Sequence, residues 1–335
     1  MRFEFYQPGL DSVPKLSVDG TVSNSIHFSH WEGNLTPAEL KADTSTEIAL
    51  NLVAAPNRNE LTRGIELVTN NHFDTDGVLS VWTVLTGERA LDLRDKLIPA
   101  AEAGDFSEFT NEAAVRASIV IQGSDQGSPN DESSPLARQL AGASVDDAKA
   151  YELVLPEVER VLLRTDEYEP LWRDAWEKIV KALESFERGA STVTEFNDVS
   201  LVTLAPDIFS PSGFNPTRHA APYTAISHYA KGRLFVITTP LHSGWSYRVD
   251  YPYYSWAETI VRPRIARRDF SELITELNRR ERNGAGLWKS YNSEMTSAIK
   301  FLGEDGTLAA STLAPDDVAG IFSAPTSAEA TLAAR

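Results

Sequence analysis

The apolar positions in the first half of the chain recur mostly with helical spacing. Residues 13–30 alternate weakly between apolar and polar and are interrupted at Asp19-Gly20, which predicts two short strands. Thr44 and Glu47 have capping-box spacing before the apolar run 48–53, which predicts a helix. Residues 65–71 predict a strand, and residues 78–85 predict an apolar helix directly after a polar loop.

Beyond about residue 191, β-branched and aromatic residues predominate, which is typical of strands. The predicted strands are 192–196, 199–204, 233–239 and 245–250, and the predicted helices are 270–282, 291–301 and 315–322. A chain of 335 residues exceeds the usual size of one core. We therefore expect an α/β protein, with a parallel sheet and flanking helices in residues 1–190 and a smaller α+β domain in residues 191–335 that contacts the substrate.

Composition and charge limit the kinds of metal site and partner that the protein can have. The chain contains no Cys, so any metal must bind to oxygen and imidazole ligands. A net charge of -17 opposes binding to a long nucleic acid. No run of 18 apolar residues and no signal-peptide pattern occur, so we expect a cytoplasmic protein without a membrane partner.

The segment 123–135, rich in Gly, Ser, Asp and Pro, predicts a flexible loop or lid.

Candidate metal ligands alternate at His72, Asp74 and Asp76, just after a predicted strand. On an extended loop, side chains two residues apart point the same way, so these three are expected to converge. Gly77 permits a sharp turn into the following helix. Close carboxylates repel unless a cation or proton lies between them, so we predict a divalent metal site at the carboxyl end of the strand. The alternative is an Asx-rich turn that caps the helix.

The segment NNHFDTDGVLSVWTVL resembles motif I of the DHH phosphoesterases. The matching positions are His72, Asp74, Asp76, Gly77 and Ser80. The resemblance implies that His72 and Asp74 hold one Mn²⁺ and that Asp76 holds a second, with Mg²⁺ as the other candidate. It also implies hydrolysis of a phosphoester or phosphoanhydride by a metal-activated water.

The chain departs from the DHH pattern because it has neither an Asp-His-His tripeptide nor a Gly-Gly-Gly-His motif. Other residues must then complete the site. Asp105, at the end of a predicted helix, is a candidate ligand, and His30 is a candidate neighbour, although a structural His is the commoner role. The pattern around Ser29-His30-Trp31 and Thr36-Pro37 also resembles an uncharacterised bacterial family of unknown function.

A second resemblance involves the same loop. Residues 73–79 are similar to the first motif of haloacid-dehalogenase-type phosphatases, which implies Asp74 as nucleophile and Asp76 as general acid or base. A non-catalytic protein that binds a metal or a phosphorylated ligand is a third hypothesis, favoured by the missing tripeptide. No Gly-x-Ser-x-Gly or phosphate-binding Gly-rich loop supports another hydrolase class.

Substrate contacts are expected from the C-terminal domain, where Arg248, Arg218 and His219 are candidates for phosphate binding. The expected substrate is a small phosphorylated molecule or a short oligonucleotide. A dense aromatic patch in the same domain could stack on a base, belong to the sheet core, or form a homodimer surface. It consists of Trp245, Tyr247, Tyr251, Tyr253, Tyr254 and Trp256.

Overall fold

The computed structural model describes residues 1–124, 134–209, 222–282, 284–290 and 296–323. These residues form two compact units, the first from residues 1–178 together with 254–264 and the second from residues 179–253 together with those after 264. This grouping differs from a single cut near residue 190 because residues 254–264 belong to the first unit. Most of the predicted loop 123–135 lies outside the described residues.

A parallel sheet of four strands organises the first unit. Its strands are β1 (Arg2–Phe3), β2 (Lys15–Val18), β3 (Ser25–Phe28) and β4 (Leu67–Thr69), in the order β1-β4-β2-β3. Every pair in it is parallel, and β2 lies between β3 and β4. Together with the mixed sheet of the second unit and the surrounding helices, this sheet confirms the predicted α/β class.

Helices account for most of the rest of the first unit. They are α1 (Ser45–Ala54), α2 (Arg58–Leu61), α3 (Thr75–Thr86), α4 (Arg94–Asp105), α5 (Glu112–Ile121), α6 (Pro135–Ala141), α7 (Asp147–Val154) and α8 (Val158–Leu163), followed by α9 (Glu169–Glu187), which continues into the second unit. Helix α1 begins as the sequence predicts, because the Thr44 side chain accepts a hydrogen bond from the Glu47 amide at 3.2 Å.

Helix α3 occupies the core of the first unit. Residues 75–84 are all buried, so the helix is surrounded on every side instead of along one stripe. Its first residue is Thr75, and Asp74 is the N-cap, with its carboxylate accepting a hydrogen bond from the Gly77 amide at 2.7 Å. The prediction of an extended loop through residue 76 is therefore wrong, because Asp76 already lies in the first helical turn.

The second unit contains a mixed sheet with strand order β5-β6-β7-β8-β10-β9. Its elements are β5 (Thr192–Phe196), β6 (Val199–Thr203), α10 (Tyr223–Tyr229), β7 (Leu234–Leu241), β8 (Gly244–Asp250), α11 (Ser271–Arg280), β9 (Leu287–Ser290), β10 (Ser297–Leu302) and α12 (Pro315–Ser323). The helix predicted over 291–301 is wrong from residue 297 onward, because β10 pairs there with both β8 and β9.

The described helices also bear on the membrane question. None of them combines the length and the apolar character that crossing a bilayer requires.

Candidate metal centre

Three neighbouring parallel strands lead into the candidate site. Asp19 directly follows β2, His30 lies two residues after β3, and His72 follows β4. Since the carboxyl ends of parallel strands meet at one edge of a sheet, these side chains come together. Asp74 and Asp76 from the start of α3 and Asp105 from the end of α4 complete the group, which we call the acidic centre.

The acidic centre contains two sets of potential metal ligands that share one residue. Within each set, one ligand atom per residue lies within 4.8 Å of the others. Asp19 is the residue common to both. The inner set is Asp19, His30, Asp76 and Asp105, and the outer set is Asp19, His72 and Asp74. The sequence predicts that His72, Asp74 and Asp76 converge on one point. Instead, they are divided between the two sets.

His30 is oriented by a backbone carbonyl. Its Nδ1 atom lies 2.6 Å from the carbonyl oxygen of Asp43, which can only accept, so Nδ1 carries a proton. The Nε2 atom faces three carboxylate oxygens, at 3.1 Å from Asp105, 3.4 Å from Asp19 and 3.7 Å from Asp76. The side chain of His30 is fully buried.

His72 repeats this arrangement in the outer set. Its Nδ1 atom lies 3.1 Å from the side-chain oxygen of Asn71, while its Nε2 atom lies 3.0 Å from Asp74 and 3.2 Å from Asp19. The His72 and Asp74 side chains are 29% and 28% exposed. The outer set is therefore the side of the acidic centre that solvent reaches.

The carboxylate of Asp76 is fixed by the start of helix α1. Its two oxygens accept hydrogen bonds from the backbone amides of Ser45 and Thr46, each at 2.7 Å. The amides at a helix N-terminus carry a partial positive charge, which favours a buried anion there. Asp19 is tied to the same turn, since the Ser45 hydroxyl donates to its Oδ1 atom at 2.9 Å.

Asp19 adopts a backbone conformation that is unusual for a residue with a side chain. Its φ angle is +50° and the residue is fully buried. Asp tolerates this left-handed region better than most residues, yet such positions cost about 1–3 kcal/mol and cluster at functional sites. The fold thus holds the Asp19 carboxylate between the two sets, although the backbone of a non-glycine residue disfavours the left-handed conformation that this requires.

Burial and mutual repulsion shift the titration of these groups. Burial raises the pKa of Asp76 to about 7, and the charge of Asp19 adds to the effect. Burial, followed by the charges of Asp76 and Asp74, also raises the pKa of Asp105 well above its usual range. Burial lowers the pKa of His72, but the charge of Asp74 and hydrogen bonding to Asp19 and Asp74 outweigh it and raise the pKa to about 11. The centre therefore favours positive charge at its nitrogen atoms.

Several buried atoms of the acidic centre have no hydrogen-bond partner. They are Oδ2 of Asp19, Nε2 of His30 and Oδ2 of Asp105, although each lies within ion-pair distance of an oppositely charged group. Buried polar atoms are normally satisfied. Their convergence is what a site built for a cation would show, and the donor set of carboxylate oxygens and imidazole nitrogens suits a divalent metal.

The other predicted site residues have different surroundings. The hydroxyl of Ser80 donates to the Gly77 carbonyl at 2.9 Å, within helix α3. Arg248 lies on β8 in the second unit, 3.0 Å from Asp250. Arg218 and His219 lie outside the described residues. Phosphate binding by these residues stays a prediction.

Asp19 is the residue that the sequence-based prediction missed. The break at Asp19-Gly20 predicts only a boundary between two short strands, whereas an Asp directly after a strand of a parallel sheet is also a usual position for a ligand. These two interpretations of Asp19 can be distinguished only once β2 and β3 are known to be parallel. In a hairpin the carboxyl ends of β2 and β3 would lie at opposite ends of the strand pair, which would have kept Asp19 and His30 apart.

Comparisons with known proteins identify a family but not an activity. The model of a family of unknown function, DUF6687, matches residues 2–311, which include every residue of the acidic centre. No curated protein matches the chain. Among solved structures, a pGpG-specific phosphodiesterase, PggH from Vibrio cholerae, aligns with 92% of this chain and 85% of its own at 8% identity and a TM-score of 0.38.

Proposed function

The protein belongs to the DUF6687 family, and we propose from its acidic centre that it is a divalent-metal-dependent hydrolase of phosphoesters or phosphoanhydrides. The observation that carries the proposal is the pair of imidazoles on either side of Asp19, each with Nδ1 beside an oxygen atom and Nε2 facing carboxylates. In metal sites a hydrogen bond at one nitrogen commonly fixes the tautomer that leaves the other nitrogen for the metal.

Each ligand set is proposed to hold one cation. His30, Asp76 and Asp105 would hold the inner cation, His72 and Asp74 the outer one, and Asp19 would give one oxygen to each, as its 3.4 Å and 3.2 Å approaches to the two His side chains suggest. Mn²⁺ or Mg²⁺ suits this oxygen-rich set. When bound, such cations lower the pKa of a water and neutralise phosphate oxygens.

The protein's own residues prepare the site for an anionic substrate. The amides of Ser45 and Thr46 hold Asp76 away from solvent, so that carboxylate is a fixed ligand and not a mobile base. The partly exposed His72 and Asp74 mark the side from which a phosphate would approach. Asp19 and His30 would supply ligands in place of the missing Asp-His-His tripeptide, which supports a metal-dependent hydrolase that does without this motif.

The aspartyl-phosphate alternative is less well supported. It requires Asp76 to reach the leaving group as a general acid or base, yet Asp76 is fully buried and both of its oxygens accept backbone hydrogen bonds. Asp74 as a nucleophile would have to attack through Oδ2, because Oδ1 caps helix α3, and Oδ2 lies 3.0 Å from His72 Nε2. The geometry therefore favours water over Asp74 as the attacking group.

A hydrolysis screen tests the proposal. The purified protein would be assayed on phosphomonoesters, a phosphodiester and pyrophosphate with EDTA, Mg²⁺ or Mn²⁺, beside Asp19→Asn and the exposed control Asp166→Asn. We expect metal-dependent turnover that Asp19→Asn lowers at least a hundredfold and the control retains. If the protein binds metal but hydrolyses none of the substrates, the result would favour the non-catalytic hypothesis. If it binds no metal, the proposed metal centre would be refuted.

A further inference from the structure

Two tryptophans border the acidic centre. Trp31 follows His30 in the chain, and Trp256 comes from residues 254–264 of the first unit. The Trp31 ring lies 5.4 Å from the His72 ring and 5.1 Å from the Trp256 ring, centroid to centroid. Trp256 packs at 4.9 Å against His30. This aromatic wall, Trp31 and Trp256, thus touches one imidazole of each ligand set.

The aromatic wall is not part of the hydrophobic core. Trp31 and Trp256 are half-buried, whereas the other tryptophans of the first unit, Trp82, Trp172 and Trp176, are buried. Leaving part of an indole ring in water costs about 25 cal/mol per Å² of apolar surface. Apolar surface next to a polar centre commonly marks where the apolar part of a ligand binds.

The wall is held by a network of carboxylates. The Asp43 carboxylate accepts hydrogen bonds from the amides of Ile260, Val261 and Arg262, the last two at 2.8 and 3.0 Å. The Arg262 guanidinium pairs with Asp43 at 2.8 Å, with Glu102 at 2.7 Å and with Glu108 at 2.6 Å. A segment anchored in this way presents Trp256 in one place, which lowers the entropic cost of binding.

The Asp43 network also decides what the segment can recognise. Arg262 is engaged with three carboxylates, so it is not available as a phosphate donor. The nearby cations Lys41 and Arg264 are also paired, with Glu258 and Glu32. A bare anion would gain little from this surface. A planar, uncharged ring gains stacking energy from an indole, whichever heterocycle it is.

We propose that the aromatic wall is the base-binding subsite of a nucleotide substrate, whose phosphate lies at the acidic centre. This inference rests on the proposed function and names its substrate class. The direct contact of each tryptophan with a ligand imidazole fits a substrate in which a heterocycle and a phosphate are separated by one sugar. Simple sugar phosphates and inorganic polyphosphates lack the ring that this surface would bind.

The test compares two ligands that differ only in the base. Binding of adenosine 5′-monophosphate and ribose 5-phosphate to the Mn²⁺-loaded protein would be measured by calorimetry. We expect the nucleotide to bind about five- to a hundredfold more tightly, the range of one base–aromatic stack. In Trp256→Leu this preference should shrink to less than threefold, while Trp172→Leu, in the same unit but away from the wall, should keep it.

The outcomes separate this inference from the proposed function. Equal affinity for the two ligands in the wild type, or an unchanged preference in Trp256→Leu, would overturn the subsite even if the protein hydrolyses pyrophosphate. A preference that depends on Trp256, in a protein that hydrolyses nothing, would support the subsite and refute the hydrolase. Where turnover occurs, the ratio of kcat/KM for adenosine diphosphate over pyrophosphate should fall at least fivefold in Trp256→Leu.

Discussion

At the scale of single residues, Asp19 connects the two halves of the acidic centre. It approaches His30 with one oxygen and His72 with the other, and it does so from a left-handed backbone conformation. Asn tolerates that conformation about as well as Asp, so the charge can be removed without altering the backbone. A substitution at Asp19 can therefore test the effect of the carboxylate charge while the backbone geometry stays the same.

Replacing Asp19 with Asn should weaken metal binding in both sets. We expect Mn²⁺ affinity to fall at least tenfold, because one ligand charge is lost from each set. Titration calorimetry or the free Mn²⁺ signal in electron paramagnetic resonance measures it, with Asp166→Asn, whose side chain is 91% exposed, as the control. Unchanged affinity at both sites would show that Asp19 is not a shared ligand.

Gly77 is a second residue at which the local geometry makes a sharp prediction. A Cβ atom there would lie 2.6 Å from the side-chain nitrogen of Asn70 and 2.7 Å from the Tyr151 hydroxyl, both on fully buried side chains. Gly77→Ala should therefore lower the free energy of unfolding by about 1–3 kcal/mol. Urea denaturation measures this change.

The control for that substitution is Gly320, which lies in helix α12 with nothing within 4 Å of an added Cβ. Gly320→Ala should be neutral or stabilise by about 0.5–1 kcal/mol, because Ala is the better helix former. Equal effects of the two substitutions would show that crowding at Gly77 does not constrain the start of helix α3.

At the scale of elements, the start of helix α1 has a side-chain N-cap and also binds the carboxylate of Asp76, a proposed metal ligand. Thr44 caps the helix, and the next two amides hold Asp76. We expect Thr44→Ala to cost about 1 kcal/mol of unfolding free energy, and Thr44→Ser, which keeps the hydroxyl, to cost clearly less. Thermal unfolding of both variants measures the difference, and equal losses would argue against the cap.

Residues 254–264 are the other element whose anchoring can be tested. Arg262→Met leaves three carboxylates without their guanidinium partner, and Asp43 among them is only 4% exposed, so unfolding free energy should fall by about 3 kcal/mol. Arg264→Met, in the same segment, removes an ion pair with Glu32 that is almost fully exposed and should change stability by less than about 0.5 kcal/mol. Similar losses in both variants would contradict the proposed anchoring.

Local signals in the sequence predicted the elements better than their ends and partners. The cap at Thr44 and the strand before His72 are local, and both are present. The sequence predicts the start of helix α3 at residue 78, after either an extended ligand loop or an Asp cap, whereas Asp74 caps a helix that begins at Thr75. Residues 297–301 pair with strands on both sides, and no local pattern reveals those partners.

At the scale of the whole molecule, metal binding and stability should be coupled. A ligand that binds only the folded chain adds about 2.7 kcal/mol at a hundred times its Kd. We expect Mn²⁺ to raise the thermal midpoint accordingly, EDTA to reverse the rise, and Asp19→Asn to lose most of it. Differential scanning calorimetry measures the shift, and an equal rise with Ca²⁺ in Asp19→Asn would point to general screening of the net charge of -17.

The return of residues 254–264 to the first unit has a consequence for how this chain can be divided. A fragment that stops at residue 178 or 190 lacks Arg262 and Trp256, and it leaves the Asp43 carboxylate without the three amides that it accepts from. A transplanted N-terminal part would therefore carry every candidate ligand of the acidic centre, but neither the aromatic wall nor the partners of Asp43. We expect a domain exchange to keep the proposed site only if it carries residues 254–264 as well.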